Sequence, residues 1–200
     1  MIAIVDYGMG NLRSVQKALE RVGADARITH ESGDIAQADK VVLPGVGAMA
    51  PAMAKLNQLG LTQALRQAID AGKPFLGICL GLQLLFEHST EGGNVEGLKV
   101  LKGRVERFNK GKVPHMGWNQ VQAQPAGQAM YRGLKDRADM YFCHSYYVVP
   151  QDVKIAASIT EYGVSYVSSV VVNNIWGVQF HPEKSQTVGL TVLKNFAEIK

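Results

Sequence analysis

Along this 200-residue chain, short apolar runs alternate with stretches whose apolar residues recur every three or four positions. Met1–Val5 is the first such run. Leu12, Val15, Leu19 and Val22 then fall near helical spacing, with Asn11 placed to cap the helix. Asp25–Thr29 and Lys40–Leu43 predict two more strands, and Met49–Leu59 and Leu61–Ala71 two helices; Gly72-Lys73-Pro74 stops the second. Phe75–Ile78 predicts a buried strand, and Leu80–Glu87 the helix after it. This β-α-β-β-α-α-β-α order predicts an α/β fold, doubly wound, with a mostly parallel central sheet and helices on both faces. After Glu87 the texture changes. Lys99–Phe108, Trp118–Val121, Met140–Val149, Ile155–Ile159, Val164–Val172 and Asn174–Phe180 read as strands and turns, a β-rich second half. A final helix carries Val188, Val192, Leu193 and Phe196, capped by Ser185 or Thr187. With no internal repeat, linker or low-complexity stretch, residues 1–200 are expected to form a single domain.

Composition bounds the function. A chain with 46% hydrophobic and 19% charged residues supports an ordinary soluble core. The net charge of +4 clusters only at Lys99, Lys102, Arg104, Arg107, Lys110 and Lys112, expected to be the solvated face of a hairpin. No nucleic-acid-binding motif accompanies that cluster, so nucleic acid is not implied. The two cysteines form no C-x-x-C pair, which suits a reducing compartment. No secretory leader pattern is present, and no segment approaches the ~18 apolar residues of a membrane span. A cytoplasmic protein with no membrane association is expected, and neither a metal nor an organic cofactor is indicated.

The candidate chemistry centres on Cys79. Gly77-Ile78-Cys79-Leu80-Gly81 is the thiol counterpart of G-x-S-x-G, the sharp strand-to-helix turn that exposes a nucleophile. A helix N-terminus there favours thiolate over thiol. The competing reading makes Cys79 a small buried hydrophobe. Gly8 and Gly10 follow a strand, but Arg13 occupies the third glycine position of a dinucleotide fingerprint, so that reading is rejected. Pro44-Gly45-Val46-Gly47 lies past a strand end, where open α/β sheets gather ligand contacts; a plain strand-to-helix turn is the alternative. A thiol nucleophile needs a base, and the base an orienting acid. Of five histidines, only His181 has a carboxylate at i+2 with proline between. In extended chain such residues share one face about 6.6 Å apart, so Glu183 can hold one imidazole nitrogen while the other faces sulfur. The order histidine-then-acid differs from α/β-hydrolases, and the P-C-x-x-C of zinc deaminases is missing.

Taken together, GICLGLQLLF, PGVG and HPEKS resemble the nucleophile, oxyanion and histidine motifs of class I (triad-type) glutamine amidotransferases. The likeness covers nearly the whole chain and implies a flavodoxin-like variant of the doubly wound fold. It implies Cys79, His181 and Glu183 as catalytic triad, the amides of Gly47 and Leu80 as oxyanion hole, and L-glutamine contacts from Gln83, Ser145 and Tyr146. Many relatives carry histidine where this chain has Leu82. VDYGMGNLRSV, PHMGWN and YFCHSYYV narrow the resemblance to glutaminase subunits of histidine biosynthesis. These pair as a heterodimer with a (β/α)₈-barrel synthase and pass it ammonia. Tyr7, Asn11, Trp118, Tyr141 and Lys184 are the residues expected at that interface. A glutaminase feeding another synthase, such as one amidating a nucleotide-linked sugar, and a catalytically silent binding subunit are the alternatives.

Overall fold

The computed structural model describes residues 1–199. Its first half follows the apolar rhythm of the chain: β1 (Ile2–Val5), α1 (Leu12–Arg21), β2 (Ala26–Thr29), α2 (Ser32–Gln37), β3 (Lys40–Gly45), α3 (Met49–Gln58), α4 (Leu61–Asp70), β4 (Phe75–Cys79) and α5 (Leu80–Leu84). The second half contributes β5 (Phe86–Ser89), β6 (Val95–Glu96), β7 (Leu101–Arg107), β8 (His115–Ala123), β9 (Ala138–His144), β10 (Tyr146–Pro150), β11 (Ala156–Tyr162), β12 (Val164–Val172), β13 (Ile175–Val178) and α6 (Gln186–Ala197). β2, β1, β3, β4 and β13 lie side by side and parallel, with β12, β10, β7, β5 and β6 continuing the sheet. From β12 to β7 the pairing is antiparallel. β11 joins β12 to the β8–β9 pair. No helix among the described residues is long and apolar enough to cross a membrane.

The parallel strands are apolar throughout because both faces are covered. Ala3 and Val5 pack with Ile35, Leu56 and Leu65 on one side; Ile2 and Ile4 pack with Val15, Leu19, Leu193 and Phe196 on the other. Parallel pairing points the ends of β2, β1, β3 and β13 the same way as Cys79, and the loops that follow them gather at one rim.

Several elements differ from expectation for identifiable reasons. The helix after Cys79 stops at Leu84 instead of running to Glu87. Leu84, Leu85 and Phe86 offer their carbonyls to the amides of Leu98, Val100, Leu101 and Lys99, and β5 then pairs with β7. Long-range pairing thus takes the acceptors that further helical turns would need. Helix α2 was invisible in the periodicity because Ile35 is its one buried residue. Asn11 precedes α1 but its side chain makes no capping bond. The basic cluster does not sit on a hairpin: β7 runs between β10 and β5, and its charges face solvent, with Lys99 paired to Glu96 and Arg104 to Glu106.

Between β8, β9 and β12 lies a buried polar cluster. The His144 Nδ1 sits 2.7 Å from the Tyr146 carbonyl, which only accepts, so Nδ1 carries the proton. The neutral ring then accepts at Nε2 from His115 Nδ1–H, 3.0 Å away. Asn119 Nδ2 donates to His115 Nε2 at 3.3 Å and to the Glu161 carbonyl at 2.9 Å. Phe142 and Tyr162 stack on the His115 ring. Burial pushes His144 down to about 3 and His115 down to about 4. Below the ordinary imidazole value of 6.5, an unfolded chain takes up protons that the folded rings refuse. The pair's contribution to stability is complete above that value and is lost as pH falls through about 4 and about 3. Side-chain nitrogen spectra at about pH 5.5 should show both rings neutral with Nδ1 protonated, and acidification from about pH 7 should lower the melting midpoint by about 3 °C or more. Imidazolium signals from either ring at that pH would contradict this.

Candidate active site

β4 ends in a turn that few residues tolerate. Cys79 has φ of 55° and ψ of −106°, a strained combination for a side-chain-bearing residue that costs on the order of 1–3 kcal/mol. The glycines around it make the turn possible. A Cβ on Gly81 would stand 1.8 Å from the Leu43 carbonyl oxygen, and one on Gly77 would stand 2.7 Å from the Gly81 oxygen. Strand, helix and the neighbouring β3 therefore approach one another through bare backbone. Cys79 emerges at the rim, the residue only 5% exposed.

The strand next to β4 supplies the rest. β13 pairs with it in parallel, Val178 opposite Ile78. His181 follows at the end of that strand, and its ring shares one cavity with the sulfur. His181 Nδ1 lies 2.9 Å from Glu183 Oε1, both side chains almost fully buried. The contact was expected from extended backbone; instead His181 alone is extended, and Pro182–Lys184 forms a 3₁₀ turn that brings the carboxylate back. Ser185 precedes α6 but makes no capping bond. Its hydroxyl donates to the His181 carbonyl and accepts from the Tyr141 amide, tying the turn to β9. Burial alone would push the His181 imidazole down. Hydrogen bonding to Cys79 and Glu183, reinforced by their negative charges, outweighs it and raises the ring to about 10. At neutral pH the His181 ring is thus an imidazolium.

The cavity measures about 440 Å³. Its walls include Val46, Gly47 and Ala48 after β3, Cys79, Leu80 and Gln83 at the elbow, Cys143, His144, Ser145 and Tyr146 across from them, and Glu91, Pro114, His181 and Lys184. Gly47 holds φ of +94° in an exposed loop, and Leu80 contributes the first amide of α5. Glu91 accepts from the Met49 amide, fixing the start of α3 behind that loop. Gln83 donates to the Tyr146 carbonyl and to Gln179 Oε1, each at 3.0 Å. Gln179 Nε2 in turn lies 3.6 Å from the Cys79 sulfur, and the Cys143 carbonyl lies 3.9 Å from it.

All the residues expected for catalysis, the oxyanion and glutamine line this cavity, except Glu183, which reaches it through His181. The expected interface set divides. Trp118 is 50% exposed beside Met116 at 61%, with the Tyr141 ring edge-on to Trp118 and the Lys184 ammonium over Tyr141. Asn11 is also exposed. Tyr7 is corrected: only 1% exposed, it packs against Gly45 in the core and offers no surface to a partner. Burial, and then the charge of Cys79, raise its phenol far above the ordinary value. Gln179 and His144 escaped the sequence reading. The register of β13 against β4 would have revealed Gln179, since it falls level with Cys79.

Residues 3–199 match the model of the family described as glutamine amidotransferase class-I. The chain is 55% identical over 199 residues to the imidazole glycerol phosphate synthase subunit HisH of Moorella thermoacetica, spanning 99% of this chain and 94% of that one. It is 50% identical to the protein of the same name from Syntrophotalea carbinolica, over the full length of both. Among solved structures, a glutamine amidotransferase superposes with a TM-score of 0.78 over 100% of both chains at 17% identity, a likeness of fold alone. PurLQS from Thermotoga maritima superposes with a TM-score of 0.74 at 18% identity, over 98% of this chain and 96% of that one. With the sequence relationship running almost end to end, this chain belongs to the class-I glutamine amidotransferase family.

Proposed function

We propose that the protein is the glutaminase subunit of an imidazole glycerol phosphate synthase, hydrolysing L-glutamine and handing ammonia to a synthase partner in histidine biosynthesis. The observation that carries the reading is the meeting of Cys79, His181 and Glu183 at one rim, from two parallel strands, in a cavity sized for an amino acid. The relatives that share about half their residues with this chain over its full length carry that subunit's name.

In this reading the Cys79 thiolate attacks the side-chain amide carbon of glutamine. The oxyanion gathers at the amides of Leu80 and Gly47, each such donor contributing about 3 kcal/mol to lowering the barrier. His181, already protonated, gives its proton to the departing ammonia, leaving a γ-glutamyl thioester. The now neutral ring takes a proton from water, which attacks the thioester; glutamate leaves and the thiolate returns. Glu183 holds the ring by its Nδ1 and stabilises the imidazolium throughout. Ser145 and Tyr146, in the wall facing the elbow, and Gln83 on the elbow helix bind the amino acid end of the substrate.

Ammonia released into water would be protonated and lost as a nucleophile. A (β/α)₈-barrel synthase seated over the rim receives it directly, in a heterodimer. Exposed Trp118 and Lys184, with half-buried Tyr141 between them, and exposed Asn11 form the surface that meets it. The backbone of Gly47 is free to rotate a peptide in the oxyanion loop when the partner's ligand binds.

Cys79→Ala should abolish glutamine hydrolysis, and Glu183→Gln should lower kcat about a thousandfold or more while leaving KM nearly unchanged. Full activity in either variant, by glutamate release, would exclude the triad. Affinity capture from cell extract should recover a barrel synthase. Glutamine turnover should rise about tenfold or more when that synthase carries its own substrate. Equal turnover alone and in the liganded complex, or recovery of a nucleotide-sugar amidating enzyme instead, would overturn the assignment of partner.

A further inference from the structure

We infer that Gln179 is a fourth catalytic residue, a side-chain amide donor to the Cys79 sulfur whose orientation is imposed from the Tyr146 carbonyl. The inference rests on the glutaminase reading only in taking Cys79 as the attacking atom. Three observations lead to it.

The first is register. β13 runs parallel to β4 with Val178 opposite Ile78, so the next residue, Gln179, falls beside Cys79 although they are 100 residues apart in the chain. The second is burial. Gln179 is fully buried, and its Nε2 finds the sulfur at 3.6 Å, within the longer reach of hydrogen bonds to sulfur. A glutamine so deeply buried has its side-chain amide hydrogen-bonded.

The third is polarity, which follows from one carbonyl. Tyr146 O can only accept, so Gln83 must present its Nε2 to it at 3.0 Å. The second hydrogen of the same nitrogen then points to Gln179, whose oxygen must face it, also at 3.0 Å. Gln179 is left with its nitrogen toward sulfur; the flipped amide would set two donors against each other. The same carbonyl accepts from His144 Nδ1–H on its other side, and through His144 and His115 the bonds run to Asn119. Both lone pairs of Tyr146 O are thereby used, and the amide of Gln179 has one permitted orientation.

A donor fixed on the sulfur favours its ionised form and holds the charge again when the thiolate is expelled during thioester hydrolysis. It acts from the side of the sheet, apart from the backbone amides proposed for the oxyanion. The other titratable groups around the sulfur are His181 with Glu183 behind it, Tyr7, Tyr166 and His144, and Glu91, Cys143, Tyr146 and Lys184 in the cavity wall. None of them changes in the variants below.

The test is the pH dependence of Cys79 alkylation by iodoacetamide, followed by mass spectrometry of the Cys79 peptide so that Cys143 does not contribute. Gln179→Glu keeps the acceptor for Gln83 and sets a carboxylate oxygen against the sulfur; its midpoint should rise by about one pH unit or more over the parent. Gln83→Leu leaves Gln179 in place but removes what orients it, and should raise the midpoint by less. In the unsubstituted protein, the Gln179 side-chain amide resonances should shift with the same midpoint as the alkylation. A purely structural glutamine would lower the melting temperature without moving any midpoint. Superimposable alkylation profiles, or Gln179 resonances indifferent to thiol ionisation, would overturn the inference. Because no glutamine is used, either result leaves the glutaminase assignment to its own test.

Discussion

The pairing of β13 with β4 is the constraint on which the rest of the molecule depends. Two strands 100 residues apart along the chain lie parallel, and their common direction delivers the residues that follow each of them to one rim. The register, Val178 opposite Ile78, decides which side chains meet. A parallel strand slipped by one residue would turn every side chain to the opposite face and separate sulfur from imidazole. The cost of joining such distant segments is met by burial: all four residues of β13 and all five of β4 are enclosed between helical layers.

On that scaffold, local strain and electrostatics divide the work. The positive φ at Cys79 is tolerated because Gly77 and Gly81 let three backbones close in around it. Cys79 and the buried Glu183 together keep His181 protonated, against a burial effect that acts in the opposite direction. Two other histidines show burial acting unopposed: His115 and His144 lack a carboxylate partner and are held neutral. The same ring chemistry thus gives one cation and two fixed neutral donors within a single region. The difference is the presence or absence of an anion at hydrogen-bond distance.

Much of this was legible in the chain. Apolar runs at Met1–Val5, Val41–Leu43 and Phe75–Ile78 marked buried parallel strands, and glycine spacing marked the elbow. His-x-Glu was recognisable by chemistry alone, although the backbone that closes it is a 3₁₀ turn. What stayed hidden depends on partners far along the chain. The elbow helix is cut short because Leu98–Leu101 takes its carbonyls, and nothing local in Leu80–Glu87 reports that. Tyr7, expected at a surface among glycines, is folded inward against Gly45. Gln179 was passed over as one more residue of a strand, because its meaning lies in which strand it sits beside.

The central claim is that the sulfur of Cys79 forms a covalent bond to the substrate with the help of its neighbours. Mass spectrometry of protein mixed with glutamine and quenched in acid tests it most directly. The account predicts a γ-glutamyl adduct on the peptide carrying Cys79, enriched when Glu183 is replaced by Gln and hydrolysis slows. An adduct confined to Cys143, or none under conditions where glutamate is being released, would contradict it.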